Sequence, residues 1–189
     1  MKSTVNAEAK KRRESLKRQI LFVDGYNMIG AWPKLNQLKK QDKLGDARDA
    51  LLFMLSNYAK YEGIEIIVVF DAQLVPGIQK TYKEFGVTVI FTKEDETADT
   101  YIEREASLRI NPLTHVRVAT SDMAEQWIIF SRGALRVSAR ELYQAIKESE
   151  KKILAHAEDY QFENYRRKSP WSKSQMDKLQ KIFKELDSK

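Results

Sequence analysis

The stretch Ile20-Leu-Phe-Val-Asp24 decides the fold, because a short apolar run that stops at an aspartate is typical of a buried strand ending at a sheet edge. The pattern recurs along the chain. Asp71 follows Ile64–Phe70, Asp99 lies beyond Val87–Phe91, and Asp122 follows Val116–Ser121. Parallel strands end at one edge of a sheet, so we expect these four carboxylates to converge on one metal-sized spot.

The segments between these runs have helical spacing. Residues 46–62 place Ala47, Leu51 and Leu55 on one stripe, and Gly63 marks the end of this helix. Further helices are predicted over 97–109 and 122–131, from the capping box Ser138-Ala-Arg-Glu141 through about His156, and after Ser172. Strands that alternate with helices predict an α/β fold, with a mostly parallel sheet covered on both faces.

Composition limits the class of protein. At 189 residues the chain suits one domain with short extensions. The absence of cysteine excludes a disulfide framework and thiolate metal ligands. No apolar stretch approaches the roughly 20 residues of a membrane helix, and residues 1–19 lack the apolar core of a signal peptide. We therefore expect a cytoplasmic protein without a membrane partner. An organellar location, with 1–19 as the remnant of a targeting segment, stays open.

The net charge of +6 is unevenly distributed. Basic residues dominate 1–19 and 150–189, whereas 20–149 is slightly acidic. This pattern predicts a basic N-terminal extension over 1–19, an α/β domain over 20–150 and a basic helical C-terminal extension over 151–189. Basic ends suit a polyanion such as RNA, although such runs also occur simply as solvated surface.

Each aspartate has a structural explanation beside the metal site. Asp24 begins an Asp-Gly turn, and Asn27 lies one turn further on, where it can hold the Asp24 carboxylate or a phosphate. Asp71 can be a loop or capping acid, and Asp99 falls in the first turn of a helix, where the dipole favours an anion. Asp122 can cap the helix that follows it. Their joint placement at strand ends favours the metal site.

Two further residues are candidates for support of this site. Glu96 lies three residues before Asp99, and the hydroxyl of Ser121 can orient a carboxylate or a metal-bound water. A cluster of like charges needs a divalent cation, and hard oxygen ligands select Mg²⁺ or Mn²⁺. A metal-bound water supplies a nucleophile for a phosphodiester. No Gly-x-x-x-x-Gly-Lys loop is present, so we expect no nucleotide cofactor.

Longer motifs carry a family resemblance. They are Ile20-Leu-Phe-Val-Asp-Gly-Tyr-Asn-Met-Ile-Gly-Ala-Trp-Pro33, Val68-Val-Phe-Asp-Ala72, Val89-Ile-Phe-Thr-Lys-Glu-Asp-Glu-Thr-Ala-Asp99, Ala119-Thr-Ser-Asp122 and Gly133-Ala-Leu-Arg-Val-Ser-Ala-Arg-Glu-Leu142. Over residues 20–150 the chain resembles the YacP-like branch of the NYN domains, which are relatives of the PIN-domain nucleases. The resemblance implies a PIN-like three-layer α/β/α sandwich and a Mg²⁺- or Mn²⁺-dependent endoribonuclease. It also implies that Asp24, Asp71, Asp99 and Asp122 are the catalytic metal ligands.

The same branch includes a ribosome-associated endoribonuclease that cuts messenger RNA in the decoding site. The resemblance therefore implies mRNA and the ribosome as partners. The candidate RNA contacts are Tyr26, Lys93, Arg136, Ser138 and Arg140. Tyr26 and Trp32 can stack on bases or pack against the next helix. The other three positions can equally be helix capping and surface charge, and Lys93 can balance its acidic neighbours.

Three other functions share features with this prediction. A receiver domain also uses strand-end acids around Mg²⁺, but it has two acids after its first strand, where this chain has only Asp24. A noncatalytic RNA- or ribosome-binding module would keep the acids as structural residues. A ribosome-independent PIN-type RNase would share the chemistry and differ in its substrate. Replacing Asp24 separates enzyme from binding module, and co-sedimentation with ribosomes separates the two nucleases.

Overall fold

A computed structural model shows one six-stranded sheet with helices on both faces, and it describes residues 17–72, 80–84, 86–120 and 133–168. The strands are β1 (Arg18–Asp24), β2 (Glu65–Phe70), β3 (Lys80–Glu84), β4 (Val87–Phe91), β5 (Thr114–Ala119) and β6 (Leu135–Val137). The helices of these ranges are α1 (Gly25–Ala31), α2 (Pro33–Lys40), α3 (Leu44–Glu62), α4 (Ala98–Arg109) and α5 (Ala139–Lys168). The predicted α/β architecture is confirmed.

The strand order is β3-β4-β2-β1-β5-β6, and every neighbouring pair is parallel except β3 with β4. Five strands therefore end at the same side of the sheet, which we call the carboxyl edge. In the register of the sheet, Val23 of β1 is paired with Ala119 of β5, and Ala119 is paired with Val137 of β6. The residues that follow these three, Asp24, Thr120 and Ser138, consequently lie in a row along the carboxyl edge.

The central strands are apolar on both faces, which is the composition expected of a sheet covered on both sides. One face packs against α1, α2, α3 and the start of α5, with Leu21, Val23, Ile66, Val68, Phe70, Val87 and Val89 among its buried strand residues. The other face packs against α4, with Ile20, Phe22, Ile67, Val69, Ile90, Val116 and Val118. Burial of these alternating sets holds the three layers together.

Helix ends follow the local signals in most places. Helix α3 ends as predicted, with Gly63 in the left-handed conformation at φ 67°. The prediction over 97–109 is confirmed by α4, whose first turn is capped by the Thr97 hydroxyl. At the start of α5, the Ser138 N–H donates to the Glu141 carboxylate and the Glu141 N–H donates to the Ser138 hydroxyl, which confirms the capping box.

The predicted end of α5 near His156 is wrong, because the helix continues to Lys168. The sequence from Gln161 onward lacks apolar periodicity, but periodicity predicts burial of one helix face and not the presence of a helix. The glutamate, glutamine, lysine and arginine residues of this part of α5 retain good helix propensity. The helices predicted over 122–131 and after Ser172 lie outside the described residues.

Two short helices were not predicted from the sequence. The Asp24-Gly25 pair indicated a turn, whereas in the structure Asp24 caps α1, which begins at Gly25. Trp32 separates α1 from α2, and Pro33 occupies the first position of α2, where its missing N–H is not needed. Helix α1 packs against β1, β2 and α3, and α2 packs against α1 and α3.

The chain divides into two compact units, Met1–Glu148 and Ser149–Lys189. The sheet and the site described below belong to the first unit. The extension boundaries at residues 19 and 150 stay predictions. In the ranges that the structure describes, no helix combines the length and apolar character needed to cross a bilayer.

Candidate active site at the carboxyl edge of the sheet

Asp24 is a buried carboxylate at the centre of the carboxyl edge. It is the last residue of β1, its exposed fraction is 7%, and its Oδ1 accepts a hydrogen bond of 3.0 Å from the Asn27 N–H. Burial raises the pKa of the Asp24 carboxyl, the Asn27 N–H lowers it, and the negative charge of Asp71 raises it again. The net pKa shift is upward. The fold thus places this carboxyl where burial disfavours its charged form.

Asp71 is the neighbour that acts on Asp24. It directly follows β2, the strand beside β1, and it is half-buried. Thr92 directly follows β4, is fully buried, and makes a hydrogen bond on each side of Asp71. The Thr92 N–H donates to the Phe70 carbonyl at 3.0 Å, and the Thr92 hydroxyl accepts from the Ala72 N–H at 3.0 Å. Because both flanking peptides of Asp71 are tied to Thr92, the backbone position of Asp71 is fixed from the adjacent strand.

Asn27 connects Asp24 to the next strand. Besides its backbone bond to Asp24, its side-chain amide donates to the Thr120 hydroxyl at 3.4 Å. Thr120 follows β5 and is buried, with 4% of its surface exposed. The amide therefore spans the ends of β1 and β5, and Asn27 occupies the position beside the Asp24 carboxylate that the sequence indicated.

An aromatic cluster contains Phe70, the residue before Asp71, and Tyr26, two residues after Asp24. The Phe70 ring lies edge-on to Tyr26, with centroids 5.0 Å apart, and is stacked with Phe91 at 5.4 Å. Gly25 faces the same ring, and a Cβ on Gly25 would lie 2.2 Å from Phe70 Cε1. Only glycine fits at this position. The Asp24-Gly25 pair therefore reflects close packing at the start of a helix and not a turn.

Of the remaining predicted site residues, the structure describes Asp99 and Glu96. Among the described residues, no three histidine or acidic side chains lie close enough together to hold a metal ion, so the carboxylates brought together are the pair Asp24 and Asp71. Asp99 lies in the first turn of α4, beyond the connection over residues 92–97, and is not at the strand end itself. The carboxylate of Glu96 forms an ion pair with Arg104. Asp122 and Ser121 lie outside the described residues.

The structure brings three predicted RNA contacts together. Arg136, Ser138 and Arg140 line one pocket, with a volume of about 470 Å³, at the junction of β6 and α5. The other lining residues are Ala31, Trp32, Pro33, Ala139 and Tyr143. Lys93 is exposed beyond the end of β4, and Tyr26 is half-buried against Phe70. Trp32 packs in the interior, with 2% of its surface exposed and its Nε1–H donating to the Ala139 carbonyl at 2.9 Å.

Sequence reasoning missed Thr92, the role of Gly25, and Tyr143. Each acts through a residue far away in the chain, so no local pattern marks it. A signal exists only for Thr92, which directly follows a strand, as Asp71 and Thr120 do, while Asp24 is the last residue of its strand. Polar residues at every strand end of the sheet, and not acids alone, are therefore the informative set.

Comparison with known proteins adds the family. The model of the YacP-like NYN domain matches residues 21–184. The chain belongs to the YacP-like NYN domain family. The YacP protein of Bacillus subtilis, which carries no assigned function, is 52% identical over 134 residues, which is 71% of this chain and 78% of that protein. The family match continues past residue 150, where the resemblance described from the sequence ends.

Solved structures of the NYN family show the same fold. The crystal structure of Rae1 (YacP) from Bacillus subtilis superposes with a TM-score of 0.68 at 44% identity and covers 89% of this chain and 94% of Rae1. A tryptophan-to-leucine variant of Rae1 gives a TM-score of 0.67 at 46% identity, covering 76% of this chain and 84% of the variant. Membership of the NYN family indicates a nuclease-type function related to RNA.

Proposed function

We propose that this protein is a divalent-metal-dependent endoribonuclease that cleaves mRNA in association with the translating ribosome. The observation that carries the proposal is the pair of carboxylates at the carboxyl edge, in which buried Asp24 lies within electrostatic reach of Asp71. Two like charges beside each other, one of them removed from water, are costly unless a cation neutralises them.

The residues present fit a Mg²⁺ or Mn²⁺ ion. Mg²⁺ binds proteins through one or two carboxylates and keeps several waters, so the pair Asp24 and Asp71 is sufficient. The Asp24 carboxylate accepts hydrogen bonds from Asn27 and from the Tyr26 N–H, and a carboxylate has about four acceptor sites. Asp99 and Asp122 stay candidates for further ligands. When bound, the ion would activate a water and stabilise charge on a phosphodiester.

The protein's own residues orient this chemistry. Asn27 and the N-terminus of α1 hold the Asp24 carboxylate, while Thr92 fixes the backbone on both sides of Asp71. Five strands end at the carboxyl edge, and four of them are directly followed by a polar residue. In this proposal an RNA strand lies along that edge. Arg136 and Arg140 further along the carboxyl edge supply positive charge for phosphates.

The experiment is 5′-end mapping of a message incubated with purified protein and Mg²⁺, either naked or on translating ribosomes. The proposal expects cuts at a fixed offset within the ribosome, which disappear with Asp24→Asn and when Mg²⁺ is chelated. Asp49→Asn is the matched control, because Asp49 is exposed on α3 and the charge change is the same. This control should cut normally.

Other patterns of cutting would contradict parts of the proposal. Cuts on naked RNA alone would make the protein a ribosome-independent nuclease. Cuts that persist in Asp24→Asn would remove this carboxylate from the chemistry. An absence of cuts, combined with co-sedimentation with ribosomes that about 0.5 M salt reverses, would make it a binding module held by phosphate contacts.

A further inference from the structure

The pocket beside α5 has the size of a small-ligand site. Its volume of about 470 Å³ lies inside the range of about 300–1,000 Å³ that is usual for such sites. It is built from two segments far apart in the chain, the α1–α2 junction at residues 31–33 and the β6–α5 junction at residues 136–143. Among the residues that the structure describes, no carboxylate lines it.

The pocket lies at the same edge as the carboxylate pair. Ser138, one of its lining residues, is in the row that begins with Asp24 and passes through Thr120. Two strand spacings separate β1 from β6, which corresponds to about 10 Å along the sheet. An RNA strand with a phosphate near Asp24 is therefore a short distance from the pocket.

The polar wall of the pocket suits a phosphate. Arg136 and Arg140 are exposed, and neither forms an ion pair with another residue of the described ranges. Glu141 interacts electrostatically with Arg136, and its carboxylate also accepts a hydrogen bond of 2.7 Å from the Ser138 N–H in the capping box. The two guanidinium groups outnumber the single Glu141 carboxylate, so the edge of the pocket has a net positive charge. Arginine is suited to phosphate because its fork donates two parallel hydrogen bonds.

The apolar wall suits a base. Tyr143 is half-buried, Pro33 and Ala31 are exposed, and the Trp32 ring lies behind Tyr143 with centroids 5.3 Å apart. The Trp32 indole is fixed by its hydrogen bond to the Ala139 carbonyl, so the Tyr143 ring rests on a rigid support. Single-stranded nucleic acid is held by combining a positive surface with aromatic rings on which bases stack.

We propose that this pocket is a nucleotide subsite of the proposed endoribonuclease. It takes one unstacked nucleotide of single-stranded RNA, with the phosphate on Arg136 and Arg140 and the base against Tyr143. The inference rests on the proposed function for its ligand class and adds the place where the strand is gripped outside the carboxylate pair. A base enters such a pocket only when it is splayed out of a stack, so the subsite selects single strands over duplex.

Binding is measured by fluorescence anisotropy with a labelled oligouridine of about ten nucleotides, using the full chain in EDTA so that no cleavage occurs. Arg136→Gln with Arg140→Gln should weaken binding roughly tenfold, and the slope of log K against log salt should fall by about 1.4, the value for two phosphate contacts on a single strand. The control is Arg18→Gln with Lys60→Gln, which removes the same charge at the opposite edge of the sheet. Equal losses in both double variants would overturn the subsite.

A second variant separates stacking from charge. Tyr143→Leu keeps an apolar side chain over Trp32 and removes the ring, so it should weaken binding about fivefold with an unchanged salt slope. Its melting temperature is compared with that of the wild type to exclude unfolding. A fall in salt slope, or no loss of affinity in a folded variant, would contradict a base on Tyr143.

Photocrosslinking locates the RNA directly. An oligonucleotide carrying 4-thiouridine should attach to peptides containing residues 31–33 or 136–143, and the crosslink should disappear in the Arg136 and Arg140 double variant. Crosslinks elsewhere in a protein that cuts RNA would refute the subsite while the nuclease stands. Crosslinks in the pocket of a protein that cuts no RNA would refute the nuclease while the subsite stands.

Discussion

The close contact between Gly25 and Phe70 gives the sharpest prediction about this fold. A Cβ added to Gly25 would lie 2.2, 2.6 and 2.7 Å from three atoms of the Phe70 ring, whereas carbon atoms in contact are about 3.5–4.0 Å apart. The ring must therefore move by about 1 Å. It cannot do so freely, because Phe70 is fully buried between Tyr26 and Phe91.

The cost of Gly25→Ala can be worked out from this geometry. Forcing extra volume into a packed core usually costs about 1–3 kcal/mol, and three overlapping ring atoms place this site at about 3 kcal/mol. Replacing a glycine within a helix returns about 0.5–1 kcal/mol. The net loss is about 2 kcal/mol, which for a chain of this size lowers the melting temperature by about 4–8 °C.

Gly30→Ala is the matched control in the same helix. No atom lies within 4 Å of a Cβ built on Gly30, so this substitution should leave the melting temperature unchanged or raise it slightly. Phe70→Leu tests the mechanism, since it removes the ring that Gly25→Ala strikes. In the double variant the two losses should fall short of additivity by at least about 1 kcal/mol.

Urea or thermal unfolding of the four variants decides the matter. Equal stability of Gly25→Ala and Gly30→Ala would refute a steric role for Gly25. Strictly additive losses of unfolding free energy in the double variant with Phe70→Leu would refute it too. Because Gly25 and Phe70 are the direct neighbours of Asp24 and Asp71, we also expect Gly25→Ala to lower RNA cleavage more than its stability loss alone explains.

Three further predictions concern single side chains. Asp24→Asn should raise the melting temperature at pH 7, because the folded-state pKa of Asp24 is raised and the stability that its protonated form contributes is lost as pH rises through that pKa. The difference in melting temperature between variant and wild type should vanish near pH 3. Added Mg²⁺ should raise the melting temperature of the wild type only. Glu96→Gln breaks a half-exposed ion pair with Arg104 and should cost less than about 1 kcal/mol in urea unfolding, with an unchanged Mg²⁺ requirement for cleavage; an altered requirement would make Glu96 a ligand. Thr92→Val leaves the buried Ala72 N–H without its acceptor and should cost about 1–3 kcal/mol, whereas Thr92→Ser should stay near the wild type; equal losses in both would show that the hydroxyl is not what matters.

Local signals predicted the fold well. The apolar runs before Asp24 and Asp71 are strands, Gly63 ends α3 in the left-handed conformation, and Ser138 caps α5. Each of these depends on a few neighbouring residues, whose backbone and side-chain preferences suffice to determine the local structure. The length of α5 was underestimated because apolar periodicity measures burial and not helicity.

The details of the site depend on contacts that no local pattern contains. Asp24 beside Asp71 follows from the strand order, which placed β2 next to β1. The clash that demands glycine at position 25 involves a ring on a different strand, and the pocket joins residues 31–33 to residues 136–143. Such pairings are properties of the assembled sheet, so the sequence could indicate the residue types but not their partners.

The hydrogen bond from Trp32 to the Ala139 carbonyl can form only late in the synthesis of the chain. A chain emerges from its amino end, and β1 can pair with β2 as soon as Phe70 is available, while its other side waits for β5 at residues 114–119. An unpaired strand edge invites association with other chains, so the nascent protein is most vulnerable during this interval. The indole finds its acceptor only after Ala139 is made. The carboxylate pair can thus form early in folding, whereas the pocket is completed near the end.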